Sequence, residues 1–154
     1  MTDLDAIYSN RILELAAAIP RCERLPDPHT SATAHSKLCG STVAVDIKVA
    51  DGVVSDFGQN IKACLLGQAA ASVVGREIVG TSIAEFAEVA ATMRAMLKES
   101  GPPPQGRWAD LGVLEPVRDY KARHTSTLLI FDAVLDAFGQ LEQSRGNAVA
   151  GQKS

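Results

Sequence analysis

The sequence predicts an α+β domain in which helices cover one face of a small antiparallel β-sheet. A single apolar helical run comes first, a block of alternating apolar and polar residues follows, and further helical runs complete the chain. Because helices and strands do not alternate as βαβ units, this order argues against a parallel sheet. With 154 residues, of which 46% are hydrophobic, the chain can form one domain with a substantial core.

The first part of the chain predicts a helix, a loop and an edge strand. Isoleucine and leucine recur near helical spacing between residues 4 and 19, and Pro20 ends that run. Two prolines within residues 21–30 predict a loop. Residues 31–38 are small, polar and poorly periodic, so they predict an edge strand.

A β-hairpin is the clearest local prediction. Apolar and polar residues alternate from Thr42 to Val49, which predicts a strand with one buried face and one outward face. The pair Asp51-Gly52 is typical of a tight turn between antiparallel strands. We therefore expect residues 53–61 to return as the partner strand.

Three helices are predicted after the hairpin. Residues 63–74 are rich in small side chains, so this helix can approach the sheet closely. The next helix opens with the capping-box pattern Ser82-Ile83-Ala84-Glu85 and stops at Gly101 and the following prolines. A short turn around residues 108–114 then leads to a last helix over residues 119–142. The domain is predicted to span residues 1–143, with a disordered tail from residue 144 onward.

Composition excludes several classes of function. The formal net charge is −3, so the chain lacks the basic character expected of a nucleic-acid-binding protein. The acidic N-terminus does not resemble a secretory signal, and no apolar stretch approaches the roughly 18 residues of a membrane helix. We therefore expect a cytoplasmic protein. Its three cysteines should be reduced, which leaves metal binding, catalysis or simple burial as their roles.

Two of the cysteines flank the predicted hairpin. Cys39 precedes its first strand, and Cys64 begins the following helix two positions after Lys62. The helix N-terminus and the lysine both favour the thiolate, which is the form that binds metals and attacks sulfur. Because the two ends of a hairpin lie side by side, the two cysteines are expected to be neighbours. The alternative, that both are buried small hydrophobic residues, is about equally well supported.

The remaining candidates are weaker. His124 could bind a metal through either ring nitrogen, although a lone histidine at a helix start is more often solvated. His29 and His35 lie in polar segments, and Cys22 has no sequence partner, so it is predicted to be a bystander. The chain contains no glycine-rich phosphate loop, no CxxC pair and no His-Glu-x-x-His.

The combination of these features resembles the U-type iron–sulfur cluster assembly scaffolds, which include the NifU N-terminal domain, IscU and SufU-like proteins. The resemblance covers residues 4–138 and depends on Cys39-Gly40-Ser41, the alternating strand, Asp51-Gly52, and Cys64 before a small-residue helix. Residues 101–114 resemble the insertion of the SufU-like branch. The resemblance implies the U-type scaffold fold and a site of three cysteines and an aspartate that holds zinc or a nascent [2Fe–2S] cluster.

Carried over to this chain, the resemblance places the first two ligand cysteines at Cys39 and Cys64 and the aspartate at Ser41. For the third cysteine, two alignments compete. The preferred alignment places it at Ser126, whereas the other places it at Thr125 and matches His124 with a histidine of IscU. Under either alignment the third thiol is absent.

The implied metal site consists of Cys39 and Cys64, with Ser41, His124 and Ser126 as further candidate ligands. A serine hydroxyl loses its proton far above neutral pH, so two thiolates leave the shell of a zinc ion or cluster half filled. Water, a small-molecule thiol or a cysteine of a second chain would complete it. Cluster binding is therefore expected to be weak, labile or shared in a homodimer.

The resemblance implies a carrier that accepts sulfur from a cysteine desulfurase, binds iron and passes a nascent cluster to recipient apo proteins, with no turnover of its own. Two alternatives stay open from the sequence. One is a zinc-dependent sulfur acceptor, a sulfurtransferase, in which Cys39 or Cys64 takes a persulfide. The other is a regulatory homologue whose degenerate site handles no metal.

Overall fold

The computed structural model describes residues 9–37 and 40–153, with side chains as far as residue 143. Their order along the chain is α1 (Asn10–Ala17), β1 (Thr30–His35), β2 (Thr42–Ala50), β3 (Val53–Lys62), α2 (Leu65–Glu77), α3 (Ile83–Lys98), a 3₁₀ segment (Gly106–Asp119) and α4 (Lys121–Lys153). This order confirms the predicted α+β class. The start predicted for the first helix lies outside the described residues.

The sheet has three antiparallel strands in the order β1-β2-β3. Asp51 and Gly52 have φ angles of 53° and 80°, as the central residues of a type I′ hairpin turn require, which confirms the predicted turn. Thr42 at the start of β2 pairs with Lys62 at the end of β3. The segments that lead to position 39 and to Cys64 therefore leave the same end of the sheet.

The outer face of β2 is covered, so the prediction that it faces outward is wrong. Asp46 on that face is only 1% exposed, because the loop between α1 and β1 crosses above it. Arg24 donates to both carboxylate oxygens of Asp46, at 2.6 and 2.9 Å. Gly58 lies opposite Asp46 on β3, and a Cβ at Gly58 would overlap the Glu23 carbonyl oxygen of the crossing loop. Alternation within a strand cannot reveal such a distant cover.

The helices pack on the inner face of the sheet, as predicted. α4 lies along β1 and β2, α2 contacts β3, and α1 packs against α2. Three phenylalanine rings meet between α3 and α4, with centroids 5.7 Å apart for Phe86 and Phe131 and 5.8 Å apart for Phe86 and Phe138. The core is therefore continuous from the sheet to α3.

The helix boundaries largely follow the sequence signals. The Ser82 hydroxyl accepts a hydrogen bond from the Glu85 N–H at 3.0 Å, which confirms the predicted cap of α3. The Glu85 carboxylate instead accepts from Arg107 and Trp108, at 2.7 and 3.1 Å, and so ties the 3₁₀ segment to α3. That segment is longer than the turn predicted around residues 108–114.

The backbone of α4 is helical to Lys153, through residues where the sequence predicts a disordered tail. Extending an existing helix requires no new nucleation, which makes such a continuation inexpensive. The predicted domain limit at residue 143 stays a prediction. Among the described residues, no helix is both long and apolar enough to cross a membrane.

Candidate functional site

Cys64 occupies the N-cap position of α2, with extended φ and ψ angles of −65° and 169°. This confirms its predicted position at a helix start, two residues after β3 ends at Lys62. The residue is half-buried, so its sulfur is neither sealed in the core nor fully exposed. The first N–H groups of α2 lie beside it, and this end of the helix favours negative charge.

Ser126 is the side chain that the fold brings to Cys64. The Cys64 S–H donates to the Ser126 hydroxyl at 3.3 Å, although the two residues are 62 positions apart. Ser126 is 2% exposed, whereas Thr125 lies on the exposed side of α4. The geometry therefore favours the alignment that places the third family cysteine at Ser126.

Gly67 makes this meeting of α2 and α4 possible. A Cβ at Gly67 would lie 2.9 Å from the Ser126 carbonyl oxygen and 2.9 Å from the Ala63 Cβ. Real Cβ atoms do not approach other atoms so closely, so any larger residue would push α2 away from α4. The small side chains predicted to bring α2 close to the sheet also bring it close to α4.

The Ser126 hydroxyl belongs to a short chain of hydrogen bonds. It accepts from Cys64 and donates to the Arg123 carbonyl oxygen at 3.3 Å. The Thr127 hydroxyl donates to the same carbonyl at 2.7 Å. The Arg123 carbonyl thus has two side-chain donors, a feature that the sequence analysis missed. A Ser-Thr pair in the first turns of a helix is its only sequence signal.

Ser41 lies at the same end of the sheet as Cys64, while Cys39 lies outside the described residues. Ser41 is 4% exposed and directly precedes β2. The Ser36 N–H donates to the Ser41 carbonyl at 2.9 Å, and Gly40 turns the chain there with a φ angle of 71°. The predicted proximity of Cys39 to Cys64 stays a prediction, as does a ligand role for Ser41.

His124 is held on a different side of α4 from Ser126. Two positions along an α-helix correspond to a rotation of about 200°. The His124 ring is 5% exposed, and its Nε2 donates to the carbonyl oxygens of Val117 and Arg118 at 3.0 and 3.1 Å. The expectation that a histidine at this position is solvated is therefore wrong. Because Nε2 is engaged, a ligand role for His124, which stays a prediction, would require Nδ1 or the loss of these bonds.

Comparison with known structures identifies a close relative of this chain. The crystal structure of a nitrogen-fixing NifU-like protein (N-terminal) from Brucella abortus is 53% identical to this chain. The match covers 92% of this chain and 99% of that one, with a TM-score of 0.90. The chain belongs to the NifU/IscU family of iron–sulfur cluster assembly scaffolds.

Two more distant proteins are also similar to this chain. The iron–sulfur cluster assembly scaffold protein IscU of Thermotoga maritima is 23% identical over 137 residues, covering 89% of this chain and 96% of that protein. A putative iron–sulfur cluster assembly scaffold protein for the SUF system from Fervidobacterium islandicum shares the fold, with a TM-score of 0.79 at 18% identity and coverage of 86% and 97%. No family model matches the chain.

The other candidate residues of this NifU-like chain serve local structure. His29 accepts a hydrogen bond from the Val49 N–H at 3.0 Å, and His35 lies 3.2 Å from the Thr42 hydroxyl. Cys22 is exposed; its S–H donates to the Ile19 carbonyl at 3.4 Å, and partial desolvation raises the pKa of its thiol. None of these contacts includes Cys64.

The described residues alone do not complete a metal-binding set. In residues 9–37 and 40–143, no three His, Cys, Asp or Glu side chains form a group that could hold a metal ion. At the sheet end they supply the Cys64 thiol and the hydroxyl of Ser126, which is already hydrogen-bonded. Zinc takes four ligands, and a [2Fe–2S] cluster usually takes four thiolates. A metal site that includes Cys64 would therefore need donors from outside this described set.

Proposed function

We propose that this NifU-like protein is a carrier in iron–sulfur cluster assembly that accepts iron and sulfur at the hairpin end. Cys64 and Cys39 are its sulfur ligands, a cysteine desulfurase is its sulfur source, and apo iron–sulfur proteins in the cytoplasm receive the nascent [2Fe–2S] cluster. The single observation that carries the proposal is the placement of Cys64. It is the N-cap residue of α2, is half-buried, and forms a hydrogen bond with Ser126, the residue that the preferred alignment matches with the third family cysteine.

The surroundings of Cys64 suit the capture of sulfur and iron. Cys64 is the N-cap residue of α2, and this end of a helix attracts negatively charged groups such as an incoming sulfide or a bound cluster. Partial exposure leaves the thiol within reach of a partner that delivers sulfur. A fully buried cysteine could not meet such a partner without local unfolding.

The incomplete ligand set fits a role in which cargo is released. Ser126 offers a neutral hydroxyl in place of a thiolate, so a bound cluster has fewer strong ligands than usual. Water, a small-molecule thiol or a cysteine from a second copy of the chain completes the shell. We therefore expect a labile cluster, or one shared across a homodimer.

Anaerobic reconstitution with iron and sulfide tests the proposal. Wild type should develop the visible absorbance of an iron–sulfur cluster, and Cys64→Ala and Cys39→Ala should lose most of it. Cys22→Ala is the matched control, because its thiol points to the Ile19 carbonyl, and it should reconstitute like wild type. Absence of the chromophore in wild type would contradict the proposal.

Elemental analysis of the freshly purified protein addresses the metal. Iron that is lost together with the chromophore in the cysteine variants agrees with the carrier role. Stoichiometric zinc without any chromophore would instead indicate a zinc-dependent sulfur acceptor. Protein free of metal both before and after reconstitution would contradict both roles.

A further inference from the structure

The Ser126 hydroxyl has two hydrogen-bond partners, Cys64 and the Arg123 carbonyl, and the carbonyl does not depend on it. It accepts from the Cys64 S–H at 3.3 Å and donates its own hydrogen to the Arg123 carbonyl at 3.3 Å. The Thr127 hydroxyl already donates to that carbonyl at the shorter distance of 2.7 Å. If Ser126 turned its hydrogen elsewhere, the Arg123 carbonyl would still have a donor.

The direction of the bond between Cys64 and Ser126 depends on what the sulfur carries. A free thiol can donate, and the observed chain runs from the Cys64 S–H to Ser126 and on to Arg123. Once a second sulfur atom or a metal is attached, Sγ has no hydrogen and can only accept. The Ser126 hydroxyl can meet this change by rotation about a single bond, from the Arg123 carbonyl to Sγ.

We propose that Ser126 is a positioning residue whose hydroxyl donates a hydrogen bond to Cys64 when that sulfur is loaded, and that Thr127 releases it for this task. The inference rests on the proposed function, because it concerns the loaded form of Cys64. The proposed hydrogen bond differs from a ligand role for Ser126, because it forms to a persulfide even when no metal is present.

Burial makes such a hydrogen bond effective. Ser126 is 2% exposed and Thr127 fully buried, so water does not compete for the hydroxyl as it would at the surface. The position of Ser126 is fixed by the close contact of its backbone with Gly67. The hydroxyl can therefore change partner while its Cβ stays in place.

A chemically loaded persulfide tests the proposal without desulfurase or iron. In a Cys22→Ala/Cys39→Ala background, Cys64 is the only thiol. An aromatic disulfide first converts it to a mixed disulfide. Hydrosulfide then attacks Sγ, forms the new S–S bond and displaces the aromatic thiolate, which leaves a Cys64 persulfide. Intact-protein mass and release of thiocyanate with cyanide measure its lifetime.

Ser126→Ala should shorten the persulfide lifetime about three- to tenfold, the factor expected for the loss of one buried hydrogen bond. Thr127→Val keeps the shape of the side chain and the helical N–H of position 127, but it removes the competing hydroxyl donor, so the Ser126 hydroxyl should stay on the Arg123 carbonyl and the lifetime should shorten too. The double variant should decay no faster than Ser126→Ala alone. If Ser126 and Thr127 had only structural roles, the effects of the two substitutions on the persulfide lifetime would instead be additive.

A persulfide lifetime in Ser126→Ala equal to that of the background protein would overturn the proposal. If Ser126→Ala does not fold, which thermal unfolding would reveal, an unchanged lifetime in Thr127→Val would overturn it in the same way. Failure of the proposed function has a different signature, the absence of a chromophore on reconstitution, and leaves the persulfide measurement unaffected.

Discussion

The carboxylate of Asp46 and the sulfur of Cys64 are two polar groups with opposite environments in this fold. Asp46 lies under the crossing loop, where it accepts from both Arg24 nitrogens, the Leu25 N–H at 3.0 Å and the Ser31 hydroxyl at 2.6 Å. Cys64 lies at the sheet end with a hydrogen bond to Ser126. Asp46 is 1% exposed, while Cys64 is half-buried.

The difference separates a group that stabilises the fold from a group that is available for chemistry. A buried charge is tolerated only when its oxygens are paired. Burial alone would raise the pKa of Asp46, but the hydrogen bonds from Arg24, Ser31 and Leu25 outweigh it, and the net pKa is lowered. A sulfur with a replaceable partner can instead exchange that partner for sulfur or metal.

Removal of the buried carboxylate should have the largest effect. Asp46→Ala leaves the donors of Leu25 and Ser31 without their acceptor and frees the crossing loop, so the free energy of unfolding should fall by about 2–4 kcal/mol. Urea unfolding followed by circular dichroism measures it. Asp56→Ala is the matched control, because its 3.2 Å pair with Arg21 is about 40% exposed on both sides and should contribute under about 1 kcal/mol. Equal losses in the two variants would contradict the comparison.

Filling the contact between α2 and α4 should have the next largest effect. Gly67→Ala adds a Cβ 2.9 Å from the Ser126 carbonyl, so the free energy of unfolding should fall by about 1–3 kcal/mol, and cluster reconstitution should weaken with it. Gly139→Ala is the control, because its Cβ meets no atom within 4 Å and alanine favours the helix. If the Gly67→Ala variant were as stable as wild type and reconstituted fully, the close approach of α2 to α4 would not be required.

Local patterns were enough to predict the hairpin, its turn, the cap of α3 and the position of Cys64, because each depends on residues a few positions apart. The family resemblance supplied Ser126, and its contact with Cys64 agrees with the preferred alignment. The cover over Asp46 was not predictable in this way, because Arg24 is 22 positions away and the loop that carries it has no periodicity. The orientation of His124 depends on the carbonyls at the end of the 3₁₀ segment, which no pattern in the sequence marks.

The pH dependence of stability should separate Asp46 from a second acid of the fold. Because the pKa of Asp46 is lowered on folding, its contribution is present above the unfolded pKa of about 4 and is lost as the pH falls through the folded value. The stability advantage of wild type over Asp46→Asn at neutral pH should therefore shrink in acid.

Asp132 provides the control for this measurement. Partial desolvation raises the pKa of Asp132 despite the attraction of Arg94 and Lys98, so the folded state holds its proton more tightly. Its contribution to stability is therefore greatest in acid and is lost as the pH rises through the raised folded pKa. The stability of wild type relative to Asp132→Asn should fall as the pH rises, which is opposite to the trend for Asp46→Asn. Parallel slopes for Asp46→Asn and Asp132→Asn would contradict the assignment.

Ser126→Ala should have the smallest effect on stability, under about 1 kcal/mol, although Ser126 is as buried as Asp46. The substitution removes one hydroxyl without leaving the Arg123 carbonyl unpaired, since Thr127 donates to it at 2.7 Å, and the half-buried Cys64 thiol can turn toward water. Urea unfolding of the metal-free protein is the measurement. A loss as large as that of Asp46→Ala would mean that the serine holds the two helices together. A small loss of stability combined with a short-lived Cys64 persulfide would show that the Ser126 hydroxyl acts on the loaded sulfur and contributes little to the stability of the fold.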